Sequence, residues 1–219
     1  MRDVVPIVRV RDADWHAAPG LTRRRSSYRS VQSLQRDNRS CRACVEAGFP
    51  LESLPVFEGR AGQRAYILGQ APGAEEGLER RPWRGRAGRT LRRWLDLDED
   101  EFYATFYCAS ITRCYPGKAP SGNGDRVPTP PEQELCAFWR DWELTLLRPG
   151  LILAVGGLAI RRLLGVRRLD CIGERFQVGE AAVIPLPHPS GTNRWLNDPG
   201  NRSRLERALG LVRDELARL

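Results

Sequence analysis

Three short apolar runs constrain this 219-residue chain more than any other feature: "AYILGQAPG" from Ala65, "LILAVGG" from Leu151 and "AAVIPLPHPSG" from Ala181. Each is four to six apolar residues long and stops at a Gly/Pro turn. Runs this short and continuous suit strands buried on both faces. The segments between and after them, "AGRTLRRWLDL", "PEQELCAFWRDWELTLLRPG", "LAIRRLLG" and "NRSRLERALGLVRDELARL", carry helical spacing. Strands alternating with helices predict an α/β chain, a three-layer α/β/α sandwich around a central, mainly parallel four-stranded sheet. In such sheets ligands bind beyond the carboxyl ends of the strands. That directs attention to "GQAPG" and "HPSG".

The rest of the chain divides more loosely. Residues 1–28 mix charge with Pro and Gly and end in "TRRRSSY", which reads as a peripheral arm before a domain over 29–219. The Arg23–Arg25 run suits either a phosphate contact or a solvated basic tail. "SVQSLQRDNRSCRAC" has helical spacing, and "EFYATFYCASITRCYP" reads as extended and strand-rich. The net charge of +8 rests on arginine, because Lys118 is the only lysine. Arginine binds phosphate through a planar fork, so the surplus favours a polyanionic partner. There is no apolar run of spanning length and no apolar leader near Met1, so a cytoplasmic chain that does not enter membranes is expected, as a monomer.

Cysteine usage narrows the chemistry. Cys41 and Cys44 form a C-x-x-C pair, while Cys114 and Cys136 flank the loop "YPGKAPSGNGDRVPTPPEQEL". A close pair plus two singles suits a tetrahedral thiolate site for zinc or an iron–sulfur cluster. Four small buried hydrophobes would fit the spacing equally well. Cys108 and Cys171, set among apolar or irregular neighbours, read as that second kind.

Taken together these blocks resemble the iron–sulfur branches of the uracil-DNA glycosylase superfamily, families four and five. From about Ser40 onward "CRAC", "GQAPGAEEG", "RRPWRGRAGRTL", "ITRCYP", "PTPPEQELC", "LILAVGGLAIRRLLG" and "PLPHPSG" occur in that family's order. The resemblance implies a [4Fe–4S] cluster, rather than zinc, held by Cys41, Cys44, Cys114 and Cys136. It implies DNA carrying uracil or another deaminated base as partner. It places His188 as donor to the leaving base, with Trp83 stacked under the flipped base where the family has phenylalanine. Gly69, Ala71 and Ser110 then line the base pocket. Arg84, Arg86, Arg89, Ser190, Asn193 and Arg194 become candidate DNA contacts, and Trp195 or Leu196 a wedge into the minor groove. The loop between Cys114 and Cys136 is longer than the family's, and with Asn123, Asp125 and Arg126 it is expected to reach along the backbone.

Two departures bear on the substrate. Gln70 stands where family four has a carboxylate acting on the water, and Ser110 where it has a base-reading asparagine. Family five also lacks both residues and accepts a wider range of bases. Gln70 can orient a water but cannot take its proton, so Glu75, or Glu76, is a candidate to serve beside it. An enzyme that nicks the strand after base removal attacks the sugar with an amine, and Lys118 in the cysteine loop is the only side-chain amine. The expected function is therefore monofunctional base removal. The alternative is a catalytically weak or inactive damage-binding protein that keeps the fold and cluster.

Overall fold

The computed structural model describes residues 22, 24–52, 54–122, 124–166, 169–191 and 193–219. Most of the expected arm, including His16 and Arg23, lies outside these residues, as does Asn123.

Eight helices and five strands follow one another along the described chain: α1 (Val31–Arg39), α2 (Ala43–Glu46), β1 (Ala65–Gly69), α3 (Ala74–Glu79), α4 (Arg86–Leu95), α5 (Glu99–Thr105), β2 (Phe106–Ser110), α6 (Pro130–Leu147), β3 (Leu151–Val155), α7 (Gly157–Leu164), β4 (Phe176–Val178), β5 (Ala181–Leu186) and α8 (Pro199–Leu216). The strands make one sheet in the order β2-β1-β3-β5-β4. Its first four members run parallel, with Gly69 beside Ser110 and Val155 beside Leu186 at their carboxyl ends.

Alternation along each strand builds the two cores. Ala65, Ile67, Phe106, Cys108, Leu151, Leu153, Ile184 and Leu186 face one way, onto Leu91 and Leu95 of α4, Phe102 of α5, and Leu205 and Val212 of α8. Tyr66, Leu68, Tyr107, Ala109, Ile152, Ala154 and Val183 face the other way, onto Val31 of α1, Leu147 of α6 and Leu158 to Ile160 of α7. The three-layer α/β/α sandwich is thus the direct product of two-residue periodicity in strands buried on both faces.

Two expectations need correction. The sheet has five strands rather than four, because the short β4 pairs antiparallel with β5 across a turn at Gly179 and forms an edge. A three-residue strand with only Val178 buried leaves no hydrophobic run to notice. The stretch from Glu99 to Thr105 is helical, not extended. Asp98 caps it by accepting the Glu101 N–H at 2.8 Å, while the Glu101 carboxylate accepts the Asp98 N–H at 3.0 Å. That reciprocal cap starts a helix where aromatic content alone suggests a strand.

Cys108 and Cys171 are core residues, as expected. The last residues of the expected arm, Thr22 and Arg24 to Tyr28, are folded against the domain, with Tyr28 buried beside Trp139 and Trp142. No helix among the described residues is long and apolar enough to cross a membrane.

Candidate active site and cysteine cavity

The strand order doubles back at β1 and β3, and the loops leaving the carboxyl ends of β1, β2, β3 and β5 share one edge. That edge is where a doubly wound sheet offers a crevice. The "GQAPG" turn leaves β1 there and is pinned by the continuation of β2: the Ile111 and Thr112 N–H groups donate to the Gly69 and Gln70 carbonyls at 2.9 and 3.2 Å. Gln70 is half-buried, and its carboxamide is clear of any hydrogen bond among the described residues.

Trp83 forms a wall of this crevice. A Cβ at Gly69 would stand 3.0 Å from its indole Cζ2 and 3.4 Å from Ser110 Oγ, so ring, turn and serine meet at one point. Trp83 holds a left-handed backbone (φ +60°), a conformation that costs a large side chain on the order of 1–3 kcal/mol unless its surroundings enforce it. The surroundings do so from three sides. Arg92 Nη1 donates to the Trp83 carbonyl at 2.9 Å, and the Glu76 carboxylate accepts the Trp83 N–H. The third constraint is Gly88 on α4, where a Cβ would fall 1.7 Å from the Trp83 carbonyl oxygen.

Glu76 also accepts the Gly73 N–H, and burial raises its pKa. It therefore ties the turn to the tryptophan. Glu75 points outward instead, against Gly85 and 4.0 Å from Arg89. Sequence reasoning offers Glu76 only as a carboxylate for the water, not as a tie to Trp83, and singles out neither Gly88 nor Arg92. The spacing in "PWRGRAGRTLR" holds a signal, since two glycines inside a helix start imply close backbone approach.

His188 follows β5 and faces the β3 turn. Gly156, at φ +88°, brings its backbone against the imidazole, where a Cβ would stand 3.5 Å from His188 Cβ and Cδ2. The histidine is open to solvent on one side, yet enough protein surrounds it that desolvation lowers its pKa below the ordinary 6.5. The imidazole is accordingly neutral at pH 7, a hydrogen-bond donor at one nitrogen and an acceptor at the other.

Asn193 braces this loop rather than standing free. Its Nδ2 donates to the His188 carbonyl at 2.8 Å, its Oδ1 accepts the Trp195 N–H at 3.1 Å, and its own N–H donates to the Ser190 carbonyl at 3.1 Å. Trp195 and Leu196 are half-buried against the core beside α8. Arg194 is exposed, as is Arg86 in the first turn of α4. Arg84 is held in ion pairs with Glu79, at 2.7 Å, and with Glu99.

On the far side of the sheet, Cys41, Cys44, Cys114 and Cys136 line one cavity with Arg24, Thr112, Arg113, Leu135 and Trp139. All six cysteines of the chain are buried free thiols. The Arg113 N–H and the Trp139 indole Nε1–H donate to the sulfurs of Cys136 and Cys41, each at 3.3 Å. Burial pushes the Cys44 thiol up to about 12, with Cys136 and Cys41 adding to the effect, and Cys114 and Cys136 are raised as well. Six buried polar atoms among the described residues lack a partner. Four of them, Arg24 Nε, Thr112 Oγ1, and Arg113 Nε and Nη1, belong to cavity-lining residues. No group of three or more His, Cys, Asp or Glu among the described residues is placed to hold a metal ion. The thiols thus surround a space rather than converge on a point.

The loop between the last two cysteines is braced internally. Arg126 makes a two-pronged pair with Glu132 at 2.8 and 2.9 Å and donates from Nε to the Pro116 carbonyl, so its fork is not free to follow a nucleic-acid backbone. Asp125 accepts from Tyr115 Oη at 3.0 Å and lies 3.6 Å from Lys118 Nζ.

Comparison with known proteins agrees with this geometry. The profile of the Uracil DNA glycosylase superfamily matches residues 56–209. The chain is 28% identical over 160 residues to a Type-4 uracil-DNA glycosylase of Thermotoga maritima, covering 69% of this chain and 77% of the relative. It is 28% identical over 174 residues to one of Archaeoglobus fulgidus, covering 74% and 82%. A third, of Sulfurisphaera tokodaii, is 24% identical over 200 residues, covering 84% of each chain.

Proposed function

The chain belongs to the uracil-DNA glycosylase superfamily, and on that premise we propose that it removes uracil or a related deaminated base from DNA by hydrolysing the N-glycosidic bond. The observation that carries the reading is the meeting of Trp83, Gly69 and Ser110 at the sheet's carboxyl edge, which the neutral His188 also borders. A flipped base needs a flat apolar wall and a donor for its carbonyl oxygen. Trp83 supplies the wall, and the loop after β5 supplies the donor.

In this reaction the bond between the sugar C1′ and the base nitrogen breaks, and its electron pair leaves with the base. The sugar becomes oxocarbenium-like, a water oxygen bonds to C1′, and the proton that water loses is balanced by protonation of the departing base. His188 donates a hydrogen bond to the base oxygen where negative charge grows. As a neutral donor it favours that charge without itself being consumed as an acid. The Gln70 carboxamide orients the water. Glu76 is committed to the Gly73 and Trp83 N–H groups, so it preserves the pocket's shape. Arg86 and Arg194 meet phosphate from the rim, while Ser190 and Asn193 hold the histidine loop in register.

The cysteine cavity fits an iron–sulfur cluster. It offers four thiols, two N–H···S contacts, and four unpartnered polar atoms on its lining residues suited to an acceptor-rich anionic guest. When bound, the group serves as a structural tie between α2, the end of β2 and α6, and supplies no chemistry to the base. Broad brown absorption with iron and sulfide in the purified protein supports this assignment, and a colourless zinc protein overturns it.

Gln70 also supports a second reading, of a damage-binding protein with little turnover, because a carboxamide cannot accept the water's proton. Incubation with uracil-, hypoxanthine- and xanthine-containing single- and double-stranded oligonucleotides, followed by alkali, separates the two. Alkali-dependent cleavage supports the glycosylase, and binding without cleavage on every substrate supports the second reading.

A further inference from the structure

The basic run before α1 has a use that neither the fold nor the base pocket absorbs. Arg24 crosses to α6, where its Nη2 donates to the Leu135 carbonyl at 2.5 Å and its guanidinium lies 5.0 Å from the centre of the Phe138 ring. Both contacts flank Cys136. Thr22 is stitched to the other end of the cavity: its N–H donates to Glu46 Oε1 at 2.8 Å, and its Oγ1 accepts the Arg42 N–H at 2.7 Å. Those partners flank Cys44. Arg25 pairs with Asp37 on α1 at 2.7 Å and lies over Tyr28. The segment is thus fastened to all three helices around the cysteines, and the Arg24 side chain lines their cavity with a buried Nε that has no partner.

We propose that Thr22 and the segment Arg24 to Tyr28 form a strap that closes the cysteine cavity, and that Arg24 is a positioning residue whose guanidinium binds and charge-compensates the guest the four thiols hold. This rests on the iron–sulfur reading above. Four thiolates around a cluster leave a net negative body in an apolar site, and a buried cation beside it offsets the desolvation cost. Arg113, the other arginine lining the cavity, is already paired with Glu143, so Arg24 brings the uncommitted positive charge. Net charge and hydrogen bonds to the sulfurs set a cluster's potential. Removing this cation therefore disfavours the more negative, reduced state. The strap also seals the cavity beside Leu135, so its loss admits chelator and oxidant.

The test uses the full chain purified with its cluster, in four forms: wild type, Arg24→Met, Arg24→Lys, and Arg213→Met, the last removing an exposed arginine on α8. Iron and acid-labile sulfide are measured first, because a wild type that holds neither defeats the iron–sulfur reading rather than the strap. With cluster present, Arg24→Met is expected to shift the reduction potential downward and to bleach under chelator on the order of tenfold faster, the change a lost charge-assisted hydrogen bond brings. Arg24→Lys restores the potential, and Arg213→Met matches wild type. Wild-type potential and bleaching rate in Arg24→Met overturn the proposal. If Arg24→Met purifies without iron, the unfolding midpoints of the two apoproteins decide. Equal midpoints assign the loss to the cavity and support the strap, while a lowered midpoint traces it to the fold and overturns it.

Discussion

Single residues carry the sharpest chemical expectations. His188→Ala is expected to lower the rate of base release by a factor on the order of 10²–10³, the usual contribution of one preorganised donor to a developing oxyanion. DNA binding, measured by fluorescence anisotropy, should survive. Because desolvation lowers the His188 pKa below 6.5, the neutral donor persists as pH falls through that value, so activity should hold there and decline only at lower pH. The same shift means that the unfolded chain binds more protons than the folded one below 6.5, so this site's contribution to stability falls as pH falls. Behind the sheet, Arg113 and Glu143 form an ion pair with both side chains at most 1% exposed, and Tyr66 Oη donates to the same carboxylate at 2.6 Å. Burial alone would lower the Arg113 pKa, but Glu143, with Tyr66, Cys136 and Tyr107 adding to it, holds it raised. Glu143→Ala should cost about 3–5 kcal/mol in urea unfolding, because it strands a buried cation.

At the scale of elements, the pocket depends on α4 as much as on the turn after β1. Gly88→Ala places a Cβ where the Trp83 carbonyl sits, so the helix and the tryptophan must part. The expected result is loss of most activity, with destabilisation of about 1–3 kcal/mol, typical of overpacking; steady-state kinetics and thermal unfolding check both. This dependence also marks what could be read from residue order alone. The strands β1, β3 and β5 and the long helices α6, α7 and α8 were legible because apolar runs and helical spacing are local properties. So were the two turns, and the cysteines as a candidate metal site. The helix α5 was not, because its Asp98–Glu101 cap competes with a strand-like aromatic pattern and only hydrogen bonding decides between them. The bracing roles of Glu76, expected to act on the water, and of Arg92 are hidden for another reason: each grips the Trp83 backbone, and that left-handed conformation leaves no trace in residue type. Arg126 and Asn193 looked available for DNA, but chain folding gives their polar atoms nearer partners in Glu132 and His188.

For the whole molecule, the sheet separates two sites. The carboxyl edge presents Trp83, His188, Arg86 and Arg194, while the cysteine cavity lies between α2, the segment after β2 and α6. The one lysine, Lys118, belongs to the cysteine loop and faces Asp125. A reaction that stops at base removal is therefore expected, and borohydride should trap no covalent complex with uracil-containing DNA; a trapped complex lost in Lys118→Ala would reverse this. The central claim is that the crevice bordered by Trp83 and His188 releases a base from DNA. The most direct measurement is mass spectrometry of the small molecules freed from a uracil-containing duplex, with wild type and His188→Ala side by side. Free uracil from wild type, an intact abasic strand, and a signal reduced on the order of a hundredfold or more in His188→Ala are predicted. Duplex that binds wild type yet releases no base would contradict it.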